Sequence, residues 1–430
     1  MLKKSNIILL QEHDNINTID TPTDRYNHLS LVAWDKPFEN KSWGYYASYK
    51  IGAEWIDDKE AIVVTTKRGM EKIDFLNMFM TCFSSDLAID SFSQIYSIQF
   101  GQPAIDAPSL KGVVSPLIVL HFLGVVNRIR TLKKGYVHYS GNLKKIKGHI
   151  NILKNERVNI TQKRFDRIYC EYDEYSVDIP ENRILKKALL FSQQLLSKMK
   201  FHNSYNSIYQ MLAKCISMFE NVSSNVEIRE IKQVKTHKLF KEYAEAVRLA
   251  KLVLKYFDYS IYNVSNTNNK VIPFVLDMSL LYEHYVYGLL VEAYKNKVTY
   301  QFGGVTGRPD FLYCSKDFKA ILDTKYIPMY DRKHLDTPVI RQLSGYSRDL
   351  PILKQLGFED ICEDSPIPSV PCIIIYPKED GENGINPFLK ERLVDLCNDK
   401  VPKLSHFYKI PIPIPICLVL NKRYSFIRQK

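Results

Sequence analysis

The stretch that decides the fold is Arg308–Tyr326, RPDFLYCSKDFKAILDTKY. Two apolar and aromatic runs, Asp310–Cys314 and Ala320–Tyr326, flank the polar connection Ser315–Lys319, a pattern that predicts a β-hairpin. Asp310 opens the first strand. Asp323 and Lys325 stand two residues apart on the second, so strand alternation turns them to one face. Two acids and an amine on a strand pair are the parts of metal-assisted phosphodiester hydrolysis. Carboxylates hold a hard divalent cation, Mg2+ or Mn2+, through oxygen. The cation polarises a phosphoryl group and lowers the pKa of a bound water. The Lys325 ammonium can orient that water or stabilise charge building on phosphate, and the main-chain carbonyl of Thr324 could add an oxygen ligand. D-x-K on a strand is commonplace by itself, so its neighbours carry the weight.

Upstream, Asp277 and Ser279 can cap a helix running to about Lys295. Glu283 lies in it, with Val286, Tyr287 and Leu290 following on the same face. A carboxylate on an apolar face is costly unless it is paired or bound to metal, so Glu283 joins the candidate ligands; simple pairing with a basic residue is the alternative. Downstream, a helix over Pro338–Arg348 carries Gln342 and Tyr346 one turn apart, placed to touch substrate phosphate or to brace the metal ligands. Arg308 is grouped with them as a substrate-binding candidate. Val298–Phe302 and Cys372–Tyr376 (CIIIY) read as further strands. Ile410–Leu420 has alternating prolines, which allow only an edge strand or an extended strap at first. Helix, three strands, helix, strand is an α/β order with a central mixed sheet flanked by helices.

The rest of the chain reads differently. Trp43–Ile56 and Ala61–Thr66 are strand-like around the polar turn Asp57–Glu60. Pro116–Ile129 is a buried helix or a helix–strand element. Ile184–Met199, preceded by Pro180, and Lys238–Phe257, with Leu239, Tyr243, Val247, Ala250, Leu254 and Phe257 in a stripe, are helices. Asn263–Lys270 marks a boundary. The expected organisation is α/β and α+β multidomain: a strand-rich domain over 1–130, a basic helical region over 131–270, and the mixed-sheet domain over 271–430. The segment Asn142–Arg167 holds Lys144, Lys145, Lys147, Arg164 and Arg167, which could track a phosphate backbone or form a solvated face. Asp173, Glu174 and Asp178, with Asn182 and Arg183, read as bracing a helix start rather than as a second metal site.

Composition sets outer limits. The 430 residues carry 59 Lys and Arg against 47 Asp and Glu, a net +12 that suits a polyanionic partner such as double-stranded DNA. At 45% hydrophobic and 25% charged residues, the chain is neither a rod nor a disordered tail. The eight cysteines form no C-x-x-C pair, which argues for reduced thiols, no zinc or iron–sulfur frame, and a cytoplasmic setting. The longest apolar run, Val113–Val126, contains Ser115 and His121 and falls short of a membrane span, so no membrane is expected. The N-terminal apolar run Ile7–Leu10 is too short for an export signal. Gly303, Gly304 and Gly307 lack the lysine of a phosphate-binding loop, so this chain is not expected to use a nucleotide or another small-molecule substrate of its own.

The order E, P-D, D-x-K, Q-x-x-x-Y resembles the PD-(D/E)xK nucleases in their RecB-like branch. The wider chain resembles the McrC family, the nuclease subunits of McrBC-type restriction systems that cut modified DNA. Tyr169–Leu189, Val275–Leu290, GRPDFLY with AILDTKY and RQLSGY, and CIIIYP at Cys372–Pro377 carry that likeness, which spans roughly Gly141 to the end and, weakly, Tyr45–Leu76. The resemblance implies a phage-defence endonuclease aimed at DNA with modified cytosine. It would be assembled with, and would stimulate, a hexameric AAA+ motor of the McrB type that hydrolyses GTP or ATP. The N-terminal part would dock the motor, and Lys67 and Arg68 on a turn are candidates for a basic finger entering its pore. Two other readings stand beside it: a non-catalytic activator that caps the ring and binds DNA, and a stand-alone RecB-like repair nuclease.

Overall fold

A computed structural model describes residues 6–16, 23–35, 42–82, 94–99, 102–110, 113–198, 206–228, 240–264, 270–327, 337–378 and 386–416. The chain divides into two compact units, Met1–Val114 with Thr267–Lys430, and Ser115–Asn266.

The first unit begins with β1 (Asn6–Gln11), β2 (Val32–Asp35), β3 (Gly44–Ala47), β4 (Lys50–Trp55), β5 (Glu60–Thr65), α1 (Phe75–Cys82), β6 (Tyr96–Ile98) and β7 (Ile105–Asp106). The expected hairpin is β4 and β5, antiparallel, with Asp57 Oδ1 accepting from the amides of Lys59 and Glu60 to close the turn. β1 lies parallel to β5.

The second unit holds α2 (Val114–Asn127), β8 (Gly135–Leu143), β9 (His149–Ile150), a short helix α3 (Ile152–Asn155) with a wide turn after it, β10 (Ile168–Ser176), α4 (Pro180–Lys198), α5 (Asn206–Met218) and α6 (Lys241–Val264). α2 is the buried helix of the two readings open for that stretch, with Leu117, Val119, Phe122, Leu123 and Val126 all inside. Leu185, Ala188, Leu189 and Leu196 of α4 and Tyr243, Val247, Ala250 and Leu254 of α6 are buried, as the helical stripes require. Met199, Leu239 and the Phe257 side chain fall outside the described residues. Asn182 donates to the carbonyls of Lys133 and Val177 and accepts from the Tyr243 hydroxyl at 3.0 Å. Asp178 binds Arg183 through two hydrogen bonds, so this acidic segment braces the start of α4.

The chain then returns to the first unit through β11 (Lys270–Val271), β12 (Phe274–Asp277), α7 (Met278–Tyr294), β13 (Val298–Tyr300), β14 (Phe311–Cys314), β15 (Lys319–Thr324), α8 (Thr337–Tyr346), α9 (Leu350–Gln355), β16 (Cys372–Lys378), α10 (Pro387–Lys390), α11 (Leu393–Leu396), β17 (Asp399–Lys400) and β18 (Phe407–Pro413). β12 inserts between β4 and β6 in a five-stranded sheet ordered β1-β5-β4-β12-β6. Three successive domains over 1–130, 131–270 and 271–430 therefore give way to two units, because a strand from beyond residue 270 sits within the N-terminal sheet. Gly52, at φ +148°, makes the pairing possible: a Cβ there would stand 2.0 Å from the Phe274 carbonyl oxygen.

The second sheet, ordered β13-β14-β15-β16-β18-β17, is mixed. β13, β14 and β15 run antiparallel, while β15, β16 and β18 run parallel. Leu312, Ile321, Leu343, Ile352, Leu353 and Ile374 form the core between this sheet and helices α8 and α9. From Ile410 the proline-rich tail is an edge, as expected, with β16 on one side only. β18 lies inside β17, which pairs only with Tyr408 and Lys409; Pro411 and Pro413 come after that short partner ends, so no ladder bond is demanded of them. Residues 417–420 of that segment lie outside the described residues. Among the described residues, every cysteine is a free thiol, and no helix is long and apolar enough to cross a membrane.

Candidate active site

The hairpin β14–β15 sets the site. Its register pairs Phe311 with Leu322 and places Asp310, just before β14, against the end of β15. Asp310 Oδ2 accepts from the Thr324 amide at 2.6 Å and the Thr324 hydroxyl at 2.5 Å. Asp323 and Lys325 turn to one face, as alternation requires, and Lys325 Nζ lies 2.6 Å from Asp323 Oδ2. The Asp323 side chain is 2% exposed and that of Lys325 24%.

Glu283 is buried on α7, whose N-cap is Asp277, accepting from the amides of Ser279 and Leu280. Gln301, just after β13, donates to Glu283 Oε1 at 2.8 Å, and its own amide donates to the Asp310 carbonyl. Gln301 was not legible as a site residue. The signal for it is the β13–β14 register, which pairs Tyr300 with Phe311 and so puts the next residue beside Asp310. The Thr324 hydroxyl is a further site group beyond its carbonyl, donating to Asp310.

The electrostatics follow from burial. Burial raises the pKa of Asp310 well above the ordinary carboxylate range, and the charges of Asp323 and Glu283 raise it further. Burial also raises Asp323, against the pull of Lys325. Glu283 is raised by burial and by Asp323, with hydrogen bonds from Gln301 and Tyr300 and the charge of Lys325 opposing. For Lys325, burial opposes the charged form but Asp323 and Asp310 outweigh it, and its pKa rises. The buried Glu283 and Asp323 and the half-buried Asp310 thus share one neighbouring ammonium.

Tyr346 is buried on α8, where Gln342 donates to its hydroxyl at 2.7 Å and that hydroxyl donates to the Arg308 carbonyl at 3.1 Å. Tyr346 is close enough for its charge state to be felt by Lys325. It braces the loop before Asp310; Gln342 and the Arg308 side chain are exposed. Gly307, at φ +140°, lies where a Cβ would meet the Tyr346 ring at 3.1 Å. Asp349 caps α9 and also takes the amide and hydroxyl of Thr306, fixing the other end of that loop.

Other candidates fall elsewhere. Lys144, Lys145, Lys147, Arg164 and Arg167 are exposed in the second unit, along or next to its three-stranded sheet. Lys147 pairs with Glu174 and lies 4.4 Å from the Tyr172 ring centroid, while Arg167 pairs with Asp166 at 3.8 Å. Lys67 is not a surface finger: it is buried, donating to the Tyr326 carbonyl and stacked 3.5 Å from that ring's centroid. Arg68 remains exposed.

Among the described residues, no three side chains of His, Cys, Asp or Glu form a ready metal cage, so the expected set with Glu283 as a third direct side-chain ligand is not assembled. Two features nonetheless fit a divalent cation. Asp323 Oδ2 is buried and faces the Lys325 ammonium, with no further hydrogen-bond donor on it among the described residues. Three carboxyls, two of them buried, against one ammonium leave negative charge that a hard cation would neutralise.

A family model described as "McrBC 5-methylcytosine restriction system component" matches residues 114–346. No curated protein matches. Two solved structures are similar at 14% identity. One is a refined half-complex from a tetradecameric assembly of Thermococcus gammatolerans McrB AAA+ hexamers with bound McrC, covering 95% of each chain at a TM-score of 0.38. The other is the cryo-EM structure of the Thermococcus gammatolerans McrBC complex, covering 67% of this chain and 88% of that one at 0.31. With the family model spanning more than half of its length, the chain belongs to the McrBC 5-methylcytosine restriction system component family.

Proposed function

We propose that this chain is the metal-dependent DNA endonuclease subunit of an McrBC-like restriction system, hydrolysing phosphodiester bonds when assembled with an AAA+ partner that consumes GTP or ATP. The observation that carries the reading is the Asp310, Asp323 and Lys325 set at the end of one hairpin, with Asp323 buried and Glu283 close by. Asp310 and Asp323, with the Thr324 carbonyl, would hold Mg2+ or Mn2+, and Glu283 would assist through its charge. Bound there, the metal supplies Lewis acidity and a water of lowered pKa. Lys325, charged and one-quarter exposed, donates hydrogen bonds to the attacking water or to a phosphate oxygen. Tyr346 and Gln342 keep the Arg308–Asp310 segment in place, and the exposed Arg308 side chain is available to substrate phosphate.

The basic residues Lys144, Lys145, Lys147, Arg164 and Arg167 supply charge for the DNA backbone from the second unit; the pairing of Lys147 and Arg167 with acids leaves Lys144, Lys145 and Arg164 as the stronger contributors. Exposed Arg68 is the remaining docking candidate of its turn. The test is cleavage of methylated linear DNA by the complex reconstituted with its AAA+ partner, Mg2+ and GTP or ATP. Asp323→Ala and Asp310→Ala should each abolish cutting while partner stimulation persists. Cutting at the wild-type rate by either variant removes the proposed site. The reading as a non-catalytic cap draws on the engagement of Glu283 by Gln301 and of Asp310 by Thr324. Motor stimulation by the wild-type chain with no cleavage under any divalent metal would select it.

A further inference from the structure

We infer that Lys67 is a positioning residue for Lys325, held in that role by Glu12, so that the N-terminal sheet completes the candidate active site; the inference rests on the nuclease reading above. β1 and β5 run parallel, and the residues just beyond them meet the end of the D-x-K strand. The Glu12 amide donates to the Thr65 carbonyl at 3.0 Å, and its Oε2 accepts from the Lys67 amide at 2.9 Å. The same oxygen accepts from the Tyr326 hydroxyl at 3.4 Å. Lys67 Nζ donates to the Tyr326 main-chain carbonyl and stacks on the Tyr326 ring.

Tyr326 directly follows Lys325. The Lys325 amide donates to the Ile375 carbonyl at 2.8 Å, so β16 fixes the peptide before this residue while Lys67 fixes the peptide that follows Tyr326, its neighbour. The Tyr326 ring also lies 6.0 Å from that of Tyr282, the residue before Glu283. One ring therefore links the segments that carry Lys325 and Glu283 to a cation from the other sheet.

A purely apolar contact would pack Tyr326 without burying a charge. Lys67 and Glu12 are 8% and 4% exposed, and burying such a pair is expensive. Burial pushes Glu12 up to about 7 and Lys67 down to about 8, the signature of that cost. What the pair adds is direction. An ammonium bonded to a carbonyl fixes the peptide plane, which a methyl contact does not.

The test is competitive acetylation of the full-length chain at fixed pH, with the labelling rate of each lysine read by mass spectrometry. Lys67→Met should raise the rate at Lys325 by about three- to tenfold, the equivalent of one lost hydrogen bond, and leave exposed Lys214 unchanged. Lys67→Arg should restore the wild-type rate. Glu54→Gln weakens a buried acceptor of the Ser30 and Leu31 amides in the same sheet, and it should leave Lys325 unchanged. In the reconstituted complex, Lys67→Met should lower kcat and spare KM for DNA. An unchanged Lys325 rate in folded Lys67→Met, or an equal rise in Glu54→Gln, overturns the inference. Should Lys67→Met not fold, Glu12→Gln keeps the shape of the pair and is judged by the same two criteria. Labelling does not depend on cleavage, so a chain that shows the labelling effect yet never cuts DNA refutes the nuclease reading alone.

Discussion

Removing the Lys325 ammonium while keeping its stem should destabilise the metal-free chain, and the loss should depend on pH. Lys325→Met retains the packing of the aliphatic stem and deletes the charge 2.6 Å from Asp323. Breaking a buried ion pair from one side costs about 3–5 kcal/mol. Since Lys325 is 24% exposed, solvent screening reduces this to about 2–4 kcal/mol. For a unit of this size that is about 5–15 °C in Tm. The sign of the pH dependence follows from the carboxyls. Their folded pKa values lie above the reference values of 3.8 for Asp and 4.5 for Glu, so the folded state holds protons the unfolded state has released, and stability falls as pH rises through that window. Without Lys325 those folded values climb further. The penalty should therefore grow as pH rises above those reference values and close as pH falls towards 4.5 and below, where the acids become neutral in both states. Thermal melts followed by circular dichroism in EDTA, across that pH range, measure it. A variant that melts within about 2 °C of wild type at pH 8, or a gap that does not shrink in acid, would refute the picture of buried carboxyls sharing one cation.

Other consequences are direct. Asp310→Asn keeps an acceptor for Thr324 and removes a charge that Asp323 and Glu283 both oppose, so its Tm without metal should rise while cleavage is lost. Mg2+ should stabilise the wild-type chain by about 2.7 kcal/mol at a hundredfold excess over Kd, read as a higher Tm, and should not raise the Tm of Asp323→Asn; calorimetric titration reads the same loss. Gly307→Ala should lower cleavage more than DNA binding, because a Cβ at φ +140° presses on Tyr346 and shifts the strand entry at Asp310; filter binding and cleavage rates separate the two. Burial holds the His121 pKa down to about 4 from 6.5, so stability of the second unit should fall by up to about 3 kcal/mol as pH drops from 6.5 through 4; His121→Leu should flatten that limb in acid melts.

The hairpin, its polar turn and the shared face of Asp323 and Lys325 were legible because period-two alternation is a local property. The same holds for α7 with its Asp277 cap and for the stripes of α4 and α6. What was not legible depends on contacts distant in sequence. The insertion of β12 beside β4 turns on Gly52, whose lack of a side chain admits the Phe274 carbonyl, and nothing near either residue announces the pairing. Lys67 sits in KRG on a turn, where a cation is ordinarily solvated; its burial follows from Tyr326, 259 residues away. Gln301 has no local pattern either, and only the register of β13 against β14 brings it to Glu283.

These distant contacts explain how the fold keeps three acids close together at all. Two of the carboxyls are held by a donor from another segment, Asp310 by Thr324 after β14 has turned back and Glu283 by Gln301, while Asp323 faces the Lys325 ammonium two residues along its own strand. Such bonds favour the ionised form, yet burial still wins at all three positions, so the set is electrostatically unfavourable as it stands. A cluster of this kind would relax apart if its supports were soft. Its supports are instead β15, bound by strands on both sides, and α7, buried all round from Leu281 to Leu290. The rigidity that holds the acids against their repulsion is also what would let a divalent cation enter with little rearrangement. It follows that loosening this frame, at Tyr326 or Gly307, should reduce metal affinity before it reduces stability.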